Sequence, residues 1–204
     1  MQPSPIKQIY LKPEEKKSKI AFLDRDGTLN EEMDLLTEKS QINIFENSFK
    51  SVKLLNELGY IVLVITNQPV VARGLISVEE LKEINDTFFT KFKEKGAIIN
   101  GIYSCIHHPN ANIEEFRVVC RCRKPGTLML EEGFSDFDAT ANGSFVAGDK
   151  NHDIKAGKDL GIFSVLIRTG YAGHDETSQV GADLILDNIY EVAIHAKSNF
   201  KNEN

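Results

Sequence analysis

Short, wholly apolar runs that stop at a polar cluster constrain this chain more than any other feature. Ile20-Ala21-Phe22-Leu23 is followed at once by Asp24-Arg25-Asp26-Gly27-Thr28, and the run 61–65 by Thr66-Asn67-Gln68. A third run, Ser144-Phe145-Val146-Ala147-Gly148, meets Asp149-Lys150-Asn151-His152-Asp153. Runs this short and this apolar read as parallel strands buried on both faces. Helical periods lie between them. Phe49, Val52, Leu55 and Leu58 precede Gly59, and Leu81, Ile84, Phe88 and Phe92 follow a Ser77–Glu80 capping box and stop at Gly96. Further strands are expected at 98–104, 163–167 and 183–186, with helices over about 151–160 and about 188–197. Strands alternating with helices define an α/β chain with a doubly wound parallel sheet.

A parallel sheet brings its strand ends to one edge, where ligands bind. Asp24, Asp26, Thr66, Asp149 and Asp153 can therefore converge, joined by Lys124 from the loop at 123–125. Asp-Gly alone is also an ordinary turn signal. Several carboxylates in one place, however, repel one another and call for a cation or a shared proton. Carboxylates for a hard cation, with lysine and hydroxyl for phosphate oxygens, suit phosphoryl transfer assisted by magnesium. No G-x-x-x-x-G-K loop is present, which excludes a nucleotide-binding P-loop.

At 204 residues the chain is long enough for one domain, expected over 19–199, with a flexible extension at 1–18 and a disordered tail at 200–204. Residues 1–19 carry Pro3, Pro5, Pro13 and five lysines but no signal-peptide-like apolar run, so a cytoplasmic location is expected, and the chain is expected to be a monomer. A net charge of -6 argues against nucleic acid, and no apolar segment approaches the ~20 residues that span a bilayer. The expected partner is a small phosphorylated molecule.

An odd count of three cysteines fits a reducing compartment. Cys105-Ile106-His107 and Cys120-Arg121-Cys122 are separated by twelve residues. Three thiolates and an imidazole match a closed, tetrahedral structural zinc site, and zinc gives a long irregular loop a reason to hold one shape. His108 competes with His107 as the fourth ligand. The alternative is three unrelated thiols beside a surface histidine.

Asp24-x-Asp26-Gly27-Thr28, Thr66, Lys124 and Gly148-Asp149-x-x-x-Asp153, in that order, resemble the four motifs of the haloacid dehalogenase-like phosphatases. The resemblance implies that Asp24 is the nucleophile, that Asp26 is the acid and base, and that Thr66 and Lys124 hold the transferring phosphoryl group. Magnesium would be held by Asp24, the Asp26 carbonyl and Asp149, with Asp153 in support.

Cys105-x-His107-His108-Pro109, Glu114-Glu115-Phe116-Arg117 and Cys120-Arg121-Cys122-Arg123-Lys124-Pro125 are similar to the heptose 1,7-bisphosphate phosphatase group. Thr66-Asn67-Gln68, Ala72-Arg73-Gly74 and Asp149-Lys150 belong to the same pattern, much of which histidinol-phosphate phosphatases share. This closer resemblance implies hydrolysis of the bisphosphate to heptose 1-phosphate, with Asn67, Gln68, Arg73, Arg123 and Lys150 on the substrate. Histidinol phosphate, a polynucleotide 3′-phosphate, or binding of a phosphometabolite without turnover are the alternatives.

Two stretches depart from the heptose pattern. Pro69-Val70 stands where Ser-Gly is usual, and Met33-Asp34-Leu35-Leu36 where a Gly-Tyr pair is usual. Pro69 removes a backbone N–H that could bind an oxyanion, and Asp34 would repel one. There is no room for a large cap domain, so the flap at 31–46 and the zinc loop are expected to shape the pocket. His174 and His195 read as surface groups, Phe88, Phe89 and Phe92 as core, and Gly170-Tyr171-Ala172-Gly173 as a flexible loop near the site with no assigned role.

Overall fold

The computed structural model describes residues 3–14 and 19–200, the last two by backbone alone. Its elements in chain order are β1 (Ile6–Ile9), β2 (Ile20–Leu23), α1 (Glu46–Glu57), β3 (Ile61–Asn67), α2 (Pro69–Ala72), α3 (Val78–Glu94), β4 (Gly101–Cys105), α4 (Leu128–Phe137), β5 (Phe145–Gly148), α5 (Asn151–Asp159), β6 (Phe163–Ile167), β7 (Leu184–Leu186) and α6 (Ile189–Phe200). They build one seven-stranded sheet in the order β1-β4-β3-β2-β5-β6-β7. Every pairing is parallel except β1 on β4.

The apolar runs become strands because each face has a helical layer to meet. Along β2, Ala21 and Leu23 pack with Val52, Leu55, Leu81, Phe88 and Val192, while Ile20 and Phe22 pack with Met129, Leu130 and Phe137. The period of two thus sends successive residues into opposite cores. Fully burying one such side chain is worth roughly 1.5–3 kcal/mol. The Ser77–Glu80 capping box closes as expected, with Ser77 accepting from the Glu80 amide at 3.1 Å and Glu80 accepting from the Ser77 amide at 2.7 Å. From β2 the chain winds outward through β3 and β4, then crosses back to place β5 beside β2. The crevice beyond the ends of β2 and β5 is the topological switch point, where open α/β sheets bind ligands.

Three expectations are corrected. Residues 6–9 are not part of a flexible extension: Ile6 to Ile9 pair antiparallel with Ser104 to Gly101 and cover the edge of β4. An exposed parallel edge offers unpaired backbone groups, and this strand satisfies them. The strand expected at 98–104 begins at Gly101, because Asn100 turns its side chain to accept from the Val62 amide at 2.9 Å and donate to the Leu11 carbonyl at 3.0 Å. Helix α4 has no counterpart among the expected elements, since Gly133 interrupts its pattern; there Phe22 and Leu63 press so close that a Cβ would collide. The expected tail lies outside the described residues except for Phe200, which ends α6. Among the described residues, no helix is long and apolar enough to cross a membrane.

Candidate active site

Asp24 leaves the end of β2, Asp149 the end of β5, and Asp153 lies in the first turn of α5. Each offers an oxygen within 4.8 Å of the others. Lys124, wholly buried, reaches into this group from the loop before α4. Its Nζ lies 2.6 Å from Asp24 Oδ1 and 2.6 Å from Asp153 Oδ1, and donates to the Ile65 carbonyl at 2.7 Å. Burial pulls the Lys124 ammonium down, but Asp153 and Asp24 outweigh it and hold it above the ordinary lysine value. Burial, reinforced by the Asp24 charge, pushes Asp149 up to about 8. Asp149 Oδ1 is also buried without a hydrogen-bond partner. A surplus of negative charge and an orphaned oxygen fit a hard divalent cation, which takes six or more oxygen ligands.

The backbone is tailored to bring these groups close. Gly27 has φ +84°, and a Cβ on it would strike the Asp149 carboxylate. Gly170 has φ +59° and meets the same carboxylate from the other side. No other residue fits both the left-handed backbone and the contact.

Asp26 faces the neighbouring space. It accepts from Gln68 Nε2 at 2.8 Å, and the same amide donates to Thr66 Oγ1 at 2.9 Å. Arg25 grips both Asp26 oxygens. Asp24, Asp26, Thr66, Asn67, Gln68, Lys150 and His152 line a cavity of about 50 Å³ that Glu32, Met33, Asp34 and Leu36 cover from the flap. A larger cavity of about 370 Å³ opens at the opposite end of the sheet, near the starts of β2, β5 and β6, away from all of these carboxylates.

The substrate-side residues are placed unequally. Asn67 accepts from the Lys124 amide at 2.9 Å and donates to the Lys124 carbonyl at 3.1 Å, so its side chain clamps the lysine's backbone. Lys150 lies 2.6 Å from Glu32 Oε2 and 4.5 Å over the Tyr171 ring. Arg123 is half-buried and, like Lys124, is not part of the cavity lining; its Nη1 is buried and unpartnered. Burial lowers its pKa, and Arg73 adds to that. Arg73 itself is exposed and does not line the cavity. Its charge is among those felt by Arg123.

Sequence reasoning missed Arg25, Glu32, His152 and Tyr171. Tyr171 donates its amide to Asp149 Oδ2 at 2.7 Å and its hydroxyl to Asp34 at 3.0 Å, while Thr169 donates to the Gly27 carbonyl at 2.6 Å. The unassigned Gly170-Tyr171-Ala172-Gly173 loop therefore joins the carboxylates to the flap. Its paired glycines were the available signal.

The second cluster adjoins the first along the chain. Cys122 Sγ lies 3.3 Å from both Cys105 Sγ and Cys120 Sγ, Cys105 lies 3.6 Å from Cys120, and His107 Nδ1 lies 3.4 Å from Cys122 and 3.8 Å from Cys105. These separations are too long for disulfides and match the edges of a tetrahedron about an ion with bonds of ~2.0–2.3 Å. His108 instead turns its Nδ1 to accept from the Asn110 amide at 3.1 Å, leaving His107 as the fourth member. The Arg123 amide points to Cys120 Sγ at 3.4 Å.

A family profile described as HAD-hydrolase-like matches residues 121–192. Among curated relatives, the D-glycero-alpha-D-manno-heptose-1,7-bisphosphate 7-phosphatase of Photorhabdus laumondii subsp. laumondii is 33% identical, over 87% of this chain and 96% of its own. The D-glycero-beta-D-manno-heptose-1,7-bisphosphate 7-phosphatase of Escherichia coli (strain K12) is 31% identical, over 84% and 90%. Among solved structures, a HAD-like phosphatase from Mesorhizobium loti superposes with a TM-score of 0.83 at 22% identity, over 98% of this chain and 95% of that one. The D,D-heptose 1,7-bisphosphate phosphatase of B. bronchiseptica, complexed with magnesium and phosphate, does so at 0.78 and 24%, over 89% and 99%.

Proposed function

The chain belongs to the haloacid dehalogenase-like phosphatases, and within that family we propose that it removes the 7-phosphate of D-glycero-D-manno-heptose 1,7-bisphosphate. The observation that carries this reading is the meeting of Asp24, Asp149, Asp153 and Lys124 at one strand edge, with Asp26 beside them. Asp24 attacks phosphorus while the ester P–O bond breaks, and the Asp26 carboxyl gives its proton to the departing sugar oxygen. Asp26, now a carboxylate, takes a proton from water as that water attacks the aspartyl-phosphate. The bond to Asp24 breaks and inorganic phosphate leaves. Thr66 and Lys124 hold the transferring oxygens. Asp24, the Asp26 carbonyl, Asp149 and Asp153 would hold magnesium, which when bound offsets their repulsion and neutralises phosphate charge. Cys105, His107, Cys120 and Cys122 would hold zinc, which keeps the loop before Arg123 and Lys124 in one shape.

Two features bear on the substrate. The unpartnered Arg123 Nη1, with Arg73 nearby, suits a second anionic group such as the 1-phosphate. The acidic flap residues Glu32 and Asp34 instead suit a cationic substrate, and they favour the second reading, histidinol phosphate. Phosphate release from both heptose 1,7-bisphosphate anomers, the heptose 1-phosphate and 7-phosphate, and histidinol phosphate decides between them. The highest kcat/KM is expected on a bisphosphate, with the 1-phosphate retained. Preference for histidinol phosphate would overturn the heptose assignment and keep the phosphatase.

A further inference from the structure

Arg25 heads the wholly buried side chains by size, and it is 1% exposed. Burying a guanidinium is costly unless its donors are used. Nε donates to Asp26 at 3.1 and 3.0 Å, and Nη2 to Asp26 at 2.8 Å, so the fork holds both carboxylate oxygens. Nη1 donates to Asn85 Oδ1 at 3.1 Å. Asn85, wholly buried on α3, donates in turn to Gln8 Oε1 at 2.9 Å and Ser104 Oγ at 3.2 Å. Gln8, on the edge strand β1, donates to Asp86 Oδ1 at 2.8 Å and to the Lys82 carbonyl at 3.1 Å. A continuous hydrogen-bonded path therefore runs from the first strand through α3 to Asp26. Arg25 does not line the cavity over Asp24 and Asp26.

We propose that Arg25 and Asn85 are positioning residues that fix the Asp26 carboxyl for proton transfer, and that Gln8 of β1 braces them. The proposal rests on the acid–base reading of Asp26. A planar fork sets the plane and rotamer of a carboxylate in a way that a lysine ammonium cannot. Gln68 approaches Asp26 from the cavity side, so the two donors pin the group between them. Without Asn85, Nη1 becomes an orphaned buried donor and the fork is free to swing. The antiparallel strand is then part of the catalytic apparatus as well as an edge cover.

A network that merely glued β1 to α3 would affect every substrate alike. Proton delivery matters only for a poor leaving group: a sugar alkoxide needs the Asp26 proton as the P–O bond breaks, whereas 4-nitrophenolate leaves without one. The test measures kcat/KM, per folded molecule, for the best sugar phosphate and for 4-nitrophenyl phosphate. Arg25→Lys and Asn85→Ala should lose up to about 10²-fold on the sugar phosphate, the scale of a ~1 Å misplacement, and little on the aryl ester. Gln8→Ala should lose less in the same sense. Lys7→Ala, on the same strand but bonded to Asp136 on α4, should show no selective loss. Equal losses on both substrates, or none, overturn the proposal. Asp26→Asn is the reference: if it is selective for the sugar phosphate while the others are not, only the positioning role falls. If Asp26→Asn is itself unselective, the acid–base reading falls first. Should Asn85→Ala not fold, Gln8→Ala, at the half-buried sheet edge, decides between these outcomes.

Discussion

The two ligand clusters are built in opposite ways. The carboxylates of the active site stand on the ends of β2 and β5 and the first turn of α5, elements held by two apolar cores whatever occupies the crevice. The cysteine–histidine cluster hangs on a stretch whose only regular element between Cys105 and Leu128 is a short turn at Glu114–Phe116. In the first, the fold itself places the carboxylates, and an ion held there would serve the chemistry. In the second, the ion would supply the cross-link that the sequence lacks, and structural zinc contributes roughly 10–16 kcal/mol of apparent binding energy in small zinc peptides. The regions nonetheless meet: Arg123 and Lys124 follow Cys122 directly, so the loop's shape reaches the carboxylate cluster that Lys124 enters.

Asp24→Asn breaks the comparison on the chemical side and has the largest expected effect. An amide cannot attack phosphorus as a carboxylate does, so turnover should vanish while thermal unfolding stays that of a folded protein. Turnover at the original rate would remove the covalent mechanism. Metal removal comes next. Mild chelation should stop turnover reversibly, with magnesium restoring it, and leave zinc in place by elemental analysis. Protein that never contained zinc would leave Cys105, Cys120 and Cys122 as free thiols and end the contrast between the regions.

Cys120→Ser sharpens the comparison, because it should damage both. A lower unfolding temperature is expected, together with a loss of up to about 10²-fold in kcat/KM per folded molecule, as the backbone delivering Arg123 and Lys124 shifts. Unchanged turnover per folded molecule would make the loop a staple alone. The smallest effect lies away from both clusters. Burial pushes Asp136 up, but hydrogen bonds from Lys7 and Tyr103 outweigh it and hold it below the ordinary aspartate range. A carboxylate depressed in the folded state stabilises fully above its unfolded pKa of about 3.9 and loses that contribution as pH falls through its folded value. Acid titration below about pH 4 should therefore loosen β1 from α4 in Lys7-containing protein, and Asp136→Asn should flatten that limb of the stability curve.

The residues that were legible in advance share a property: their meaning is local. An apolar run with Asp24 and Asp26 at its end needs only the strand to aim them, Thr66 and Asp149 follow the same logic at other strand ends, and Asp153 stands in the first turn of the α5 that follows β5. Cys105, Cys120 and Cys122 were grouped by spacing and residue type alone, and they do come together with His107 in space. Alternation of strand and helix then dictated the parallel sheet that brings those ends together. What the tertiary structure decided depends on neighbours far apart in the chain. Ile6 to Ile9 have no strong pattern and become a strand because β4 leaves an edge open. Asn67, which lines the cavity, also commits its side-chain amide to the backbone of Lys124 because the two loops abut. His107 rather than His108 completes the thiol cluster because only its ring faces the sulfurs. Arg25 reads as a spacer between two aspartates until α3 and β1 supply Asn85 and Gln8. Chemistry written in single side chains survives in a one-dimensional reading, whereas the partners that orient those side chains are chosen by packing.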